Sequence, residues 1–94
     1  MVAVIVEEKV KEGQLQAYVD YMSEMIALTR QEEGCLAYGL HEAADGSGAV
    51  VMIESWESQE ALDRHMASEH FLKFVPGGGV YKTEDSVIRV FNSL

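Results

Sequence analysis

Cysteine, proline and positive charge are all scarce in this chain. Cysteine occurs once, at Cys35, which excludes an intrachain disulfide and a thiolate metal cluster. Lysine and arginine number 7 against 16 aspartates and glutamates, for a net charge of −9. Nucleic-acid binding needs clustered cations facing phosphates, and an anionic membrane surface needs them too, so neither is an expected partner. No apolar run approaches the ~18 residues of a membrane span. Val2 to Val6 is too short for a secretion signal and runs at once into Glu7 and Glu8. The expected location is the cytoplasm.

What is present is enough for one domain, residues 1–94. A chain of 94 residues with 48% hydrophobic side chains can build a single core but cannot divide it. At this size it buries only roughly 60–70% of its unfolded surface, so association with a second copy would add stability.

Hydrophobic periodicity gives the element order. Val2–Val6 is a β-branched first strand, continuing towards Val10. From Gln14 to about Glu32, Leu15, Val19, Met22 and Ile26 recur at helical spacing, with Tyr18, Met25 and Thr29 beside them, and Gly34 is the natural stop. Cys35–Ala43 alternates as a second strand, with Leu36, Tyr38 and Leu40 on one face. A loop of residues 44–48 leads into a third strand over Ala49–Glu57. Ser58 caps a second helix over Gln59–Ala67, and Ser68–Phe74 forms another helical segment after a break. Pro76 and Gly77–Gly79 end it, the loop to about Asp85 is expected to be mobile, and Ser86–Phe91 is a fourth strand.

The order β-α-β-β-α-β is the ferredoxin-like split βαβ arrangement, an α+β fold with both helices on one face of the sheet. Yet Val2–Val6 and Ala49–Ile53 are apolar on both faces, which is expected only where both are covered. A second copy is the simplest cover, so the expected assembly is a homodimer packed sheet to sheet.

The candidate site lies between Val50 and Phe74. Alternation directs Met52, Glu54 and Trp56 to one face of the third strand. A buried Glu54 needs a partner, with Arg64, Lys73 and Arg89 as candidates, or a hydrated pocket. Ala61, Leu62, His65 and Met66 form the apolar stripe of the second helix, so His65 points towards the space that Trp56 faces. His70 lies five residues on, ~140° further round a continuous helix, a poor geometry for a shared metal. A break at Ser68 could bring the two together, but no third ligand stands at a convincing spacing, and no metal is expected. An inward histidine is equally at home as a structural residue bonded to a carbonyl. Tyr38 sits beside Leu36 and Leu40 as core filler and needs a partner for its hydroxyl if buried, while Cys35 has no neighbour in sequence that would activate a thiolate. There is no nucleophile elbow, no phosphate-binding glycine loop opening a helix and no H-E-x-x-H.

Three stretches then carry a family resemblance. E-E-G-C-L-A-Y (Glu32–Tyr38), V-M-I-E-S-W-E-S (Val51–Ser58) and A-L-D-R-H-M-A-S-E-H-F (Ala61–Phe71) resemble the antibiotic biosynthesis monooxygenase family, most closely its quinol-monooxygenase-like branch. The resemblance implies a dimeric α+β barrel and oxygenation of a small quinol, phenol or anthrone-like ring by O2, with no metal, flavin or haem as cofactor. His65 or His70 would be the base and Trp56 or a tyrosine would hold the oxyanion. Tyr38, Glu54, Met52, Leu62, Met66, Phe71 and Phe74 would complete the substrate pocket. Polyketide-oxidising members place Asn four residues before the tryptophan, where this chain has Met52. Haem-degrading members need Asn on the first strand, whereas the only Asn here is Asn92, so haem degradation is not expected. Relatives with the same helix histidines isomerise a phosphorylated sugar, and many members have no demonstrated activity. An isomerase and a binding module are therefore the alternatives.

Overall fold

Three valines at alternate positions, Val2, Val4 and Val6, fix which face of the first strand is buried, and the sheet is built around that strand. The computed structural model describes residues 1–94. The elements are β1 (Val2–Glu8), α1 (Leu15–Arg30), β2 (Cys35–Glu42), β3 (Val50–Trp56), α2 (Gln59–Met66), α3 (Glu69–Gly77), a 3-10 turn (Gly78–Tyr81) and β4 (Val87–Asn92). All strand pairs are antiparallel, in the order β2-β3-β1-β4, giving the expected ferredoxin-like α+β fold.

The β3 alternation is as read from the sequence. Met52, Glu54 and Trp56 are buried beneath the helices, while Ile53 is 41% exposed on the reverse side. Ile5, Val87 and Phe91 are exposed with it, so the reverse face is apolar and bare within one copy. Core packing joins Val2, Val4, Met52 and Trp56 of the sheet to Tyr18, Met22 and Met25 of α1 and to Ala61 and Leu62 of α2.

Four local expectations need correction. The buried stripe of α1 is Tyr18, Met22, Met25 and Thr29, and Val19 is exposed, so the helix is turned ~60° from the face expected. Periodicity permitted both faces, and packing chose the one with the larger side chains. In β2 the pairing register shifts between Cys35 and Ala37, a bulge that throws Leu36 outward while Tyr38 stays buried opposite Glu54. Met66 is 41% exposed instead of lying fully inside the α2 stripe.

The fourth concerns the segment after Phe74. Helix α3 runs through Pro76 to Gly77 before the 3-10 turn begins. A bridge between Val10 and Lys82, with backbone bonds from Lys11 to Tyr81 and from Thr83 to Lys9 (both 2.8 Å), pins the following residues to the end of β1. This is a tied connection and not a free loop.

Glycine is required at the close approach between α1 and α2. Gly34 has φ +86°, and a Cβ there would stand 2.6 Å from the Cβ of Ala61. The contact seats α2 against the end of α1, which places Glu32 beside His65.

Candidate functional site

Ser58 starts α2 and Ser68 starts α3, each hydroxyl accepting from the backbone N–H three residues on (Ala61 and Phe71). The Ser68 hydroxyl also donates to the carbonyl of His65 at 2.6 Å. This double use of Ser68 makes the break between the helices a defined corner. His65 at the end of one helix and His70 in the first turn of the next face a common point, where a continuous helix would have separated them.

That point is Glu32. His65 Nδ1 lies 2.6 Å and His70 Nε2 3.0 Å from the same oxygen, Oε2. Glu32 heads a stretch that carries the family resemblance, but spacing did not tie it to the histidines, which lie 33 and 38 positions later. The His65 ring is enclosed by Trp56 (centroids 4.7 Å), Phe71 (5.2 Å) and Tyr38 (5.3 Å) and is 1% exposed. Its other nitrogen, Nε2, is buried with no hydrogen-bond partner. Burial holds the His65 pKa below the usual histidine value, against the opposing pull of Glu32, so the ring is neutral near pH 7. With Nδ1 donating to the carboxylate, the Nε2 lone pair is free.

His65 lines a cavity of about 100 Å³ that runs along the helix face of the sheet. Tyr38, Met52, Glu54, Leu62, Met66 and Phe71 line it as well. Glu32 does not. Ile88 and Val90 are exposed and also belong to the wall, placing its mouth between α3 and the edge strand β4. For scale, a cavity of ~150 Å³ admits benzene, so an aromatic substrate requires the lining to yield. Met22, Met52 and Met66 are the side chains most able to do so.

Three residues from the sequence-derived set stand elsewhere. Trp56 is fully buried behind His65, and its indole N–H donates to Glu54 Oε1 at 3.0 Å, so it is not free to hold an oxyanion. None of Arg64, Lys73 or Arg89 pairs with Glu54; the indole is its partner. His70 and Phe74 border an open groove on the outer side, with Glu24, Glu69 and Lys73.

Glu54 is 6% exposed and its pKa is raised to about 7. Burial is the main cause, opposed by the Trp56 hydrogen bond, with the charges of Glu8 and Glu32 adding to the rise. Burial also pushes the Tyr38 hydroxyl up, helped by Glu54, so it remains a neutral donor.

The far end of the cavity holds a polar group that no sequence motif announces. Lys82 Nζ pairs with Glu8 Oε2 at 2.8 Å and donates to Ser86 Oγ at 2.8 Å, while Ser86 donates to the same Glu8 oxygen at 2.7 Å. All three line the cavity. Glu8 lies four residues beyond Val4, the β1 partner of Glu54, so the two acids are roughly 13 Å apart along the strand. The chamber therefore has two polar ends and an apolar middle.

The description of the family model that matches residues 1–77 is "Antibiotic biosynthesis monooxygenase". "Putative monooxygenase Rv0793" of Mycobacterium tuberculosis is 40% identical over 70 residues, spanning 74% of this chain and 68% of that protein. "Probable quinol monooxygenase YgiN" of Escherichia coli K12 is 31% identical over 80 residues, 74% of this chain and 77% of the relative. The solved structure of Rv0793 superposes with TM-score 0.88 at 35% identity, covering 99% of this chain and 94% of the other. Sequence and fold agree: this chain belongs to the antibiotic biosynthesis monooxygenase family.

Proposed function

We propose that the protein is a cofactor-independent monooxygenase that oxidises a small quinol, phenol or anthrone-like ring with O2, and that it works as a homodimer. The observation that carries this reading is His65. It is a buried, neutral imidazole, fixed by Glu32 at Nδ1, with an unpartnered Nε2, and it lines an apolar cavity.

A phenol entering the cavity gives its proton to Nε2, and the imidazolium so formed is stabilised by Glu32. The electron-rich phenolate passes an electron to O2, the two radicals recombine at a ring carbon, and loss of water leaves a carbonyl. For a hydroquinone the balance is one quinol plus one O2 giving one hydroxyquinone plus one water. The substrate supplies all four electrons, so no external reductant is needed. The demand on the site is large: phenol and histidine differ by ~3.5 pKa units, about 5 kcal/mol, and the depressed His65 value adds to it. The contact ion pair between imidazolium and phenolate offsets part of this in a dry cavity. Lys82 at the far end and the neutral Tyr38 hydroxyl are further donors for the developing oxyanion.

Oxygen uptake by metal-free protein against hydroquinones and anthrones tests the reading, with His65→Ala as control. Uptake above autoxidation that is lost in the variant supports it; full turnover in the variant overturns the role of His65. An isomerase could use the same His65–Glu32 pair, and its reaction would proceed unchanged without oxygen.

The dimer is supported by the bare apolar reverse face carrying Ile5, Ile53, Val87 and Phe91. Sheet-to-sheet packing there is expected to bury more than ~1,000 Å². Light scattering at micromolar concentration should give twice the chain mass of 10.4 kDa, and a monomeric mass overturns it.

A further inference from the structure

The corner between α2 and α3 gathers more than a base and its anchor. His65 Nδ1, Glu32 Oε2 and His70 Nε2 all lie within 4.8 Å of one another, and each comes from a different helix or connection. Tetrahedral bonds of ~2.1 Å to a metal require ligand atoms ~3.4 Å apart. The separations of 2.6 and 3.0 Å from Glu32 to the histidines are close to that span, and small side-chain rotations reach it. Two imidazoles and one carboxylate leave a fourth position open and suit zinc over magnesium or calcium, which favour all-oxygen sites.

Access is from outside. His70 and Glu32 are each partly exposed, and His70 borders the outer groove beside Glu24 and Glu69, on a chain of net charge −9. A cation reaches the three atoms without passing through the substrate cavity.

We propose that Glu32, His65 and His70 form a site for a transition-metal dication of the zinc type, reached from the outer groove, whose occupancy moves the remaining proton of His65 from Nδ1 to Nε2. A metal on Nδ1 displaces the proton that Glu32 now holds there. The neutral ring then keeps its single proton, now on Nε2, and His65 releases none to solvent. Nε2 becomes a donor and loses its capacity to accept from a substrate. The consequence for turnover rests on His65 being the base; the metal site and the tautomer change do not.

Zinc titrated calorimetrically into the wild-type protein should bind at one ion per chain, with magnesium giving no heat. Cobalt should develop the intense visible absorption of a four-coordinate ion. His70→Ala and Glu32→Gln should each weaken zinc binding by at least ~10-fold, whereas His41→Ala, at an exposed strand position, should bind as wild type. Nitrogen-15 NMR of the His65 ring should report a protonated Nδ1 and bare Nε2 without metal, and a protonated Nε2 with zinc. Absence of zinc binding by wild type overturns the proposal, as does affinity unchanged in His70→Ala. Zinc-bound His65 with a bare Nε2 also overturns it. None of these readouts involves substrate, so failure of the oxygenase reading leaves them standing.

Discussion

The indole N–H of Trp56 donates to Glu54, two positions earlier on the same face of β3, at 3.0 Å. It is the one hydrogen bond that lowers the proton affinity of a carboxyl which burial otherwise raises. Trp56→Phe removes the donor and leaves a buried gap. The Glu54 titration should move above its value of about 7, read by carbon-13 NMR of the carboxyl. The protein should also lose about 2–4 kcal/mol of stability in urea, from the lost bond and imperfect repacking.

Glu54 makes stability depend on pH. Its folded pKa, about 7, lies above the ordinary 4.5, so the folded state binds the proton more tightly. The stabilisation is therefore complete below 4.5 and is lost as pH rises through about 7. Glu54→Gln should remove this decline, leaving the variant more stable than wild type at pH 9 by roughly 3 kcal/mol in chemical denaturation. His65 acts in the opposite sense: its pKa is lowered, so its contribution is present above 6.5 and fades on acidification.

Glu32→Gln tests how the base proposed at His65 is oriented. A glutamine that turns its N–H₂ towards Nδ1 drives the ring proton to Nε2, the wrong edge for accepting from substrate. With Glu32 outside the cavity wall, kcat should fall by ~10–100-fold while KM changes little, in oxygen-uptake kinetics.

Lys82→Met should be costly for a reason unconnected with catalysis. The Glu8 side chain is 5% exposed, and without the ammonium it is a buried charge left to Ser86 and the Tyr18 hydroxyl. A loss of about 3–5 kcal/mol is expected in urea denaturation, and adding Glu8→Gln should recover much of it.

Local signals carried the strand and helix order, the inward faces of β3 and α2, and the break at Ser68. They placed Met52, Glu54, Leu62 and His65 around one space because period-2 and period-3.6 patterns are properties of short windows, while the family resemblance added Tyr38 and Phe71. What they missed depends on long-range packing. Glu32 sits past the end of α1, where no periodicity applies, and meets the histidines only because Gly34 lets α2 approach. Glu8 and Ser86 are 78 residues apart and join because β1 and β4 are neighbours. The α1 stripe was misplaced because two adjacent faces are both apolar, and sequence offers no tie-breaker.

The bulge at Leu36 separates two phases of one strand. On its N-terminal side, Cys35 is set by the close approach of Gly34 to α2; on its C-terminal side, Tyr38 is set by its pairing with Glu54. Without the extra residue, Cys35 and Tyr38 could not both face the helices, since strict alternation puts positions three apart on opposite sides. The bulge thus works as a clutch between scaffold and chamber. A change in the length of the α1–β2 connection can be absorbed at Leu36, leaving the side chains that wall the cavity in step with β3.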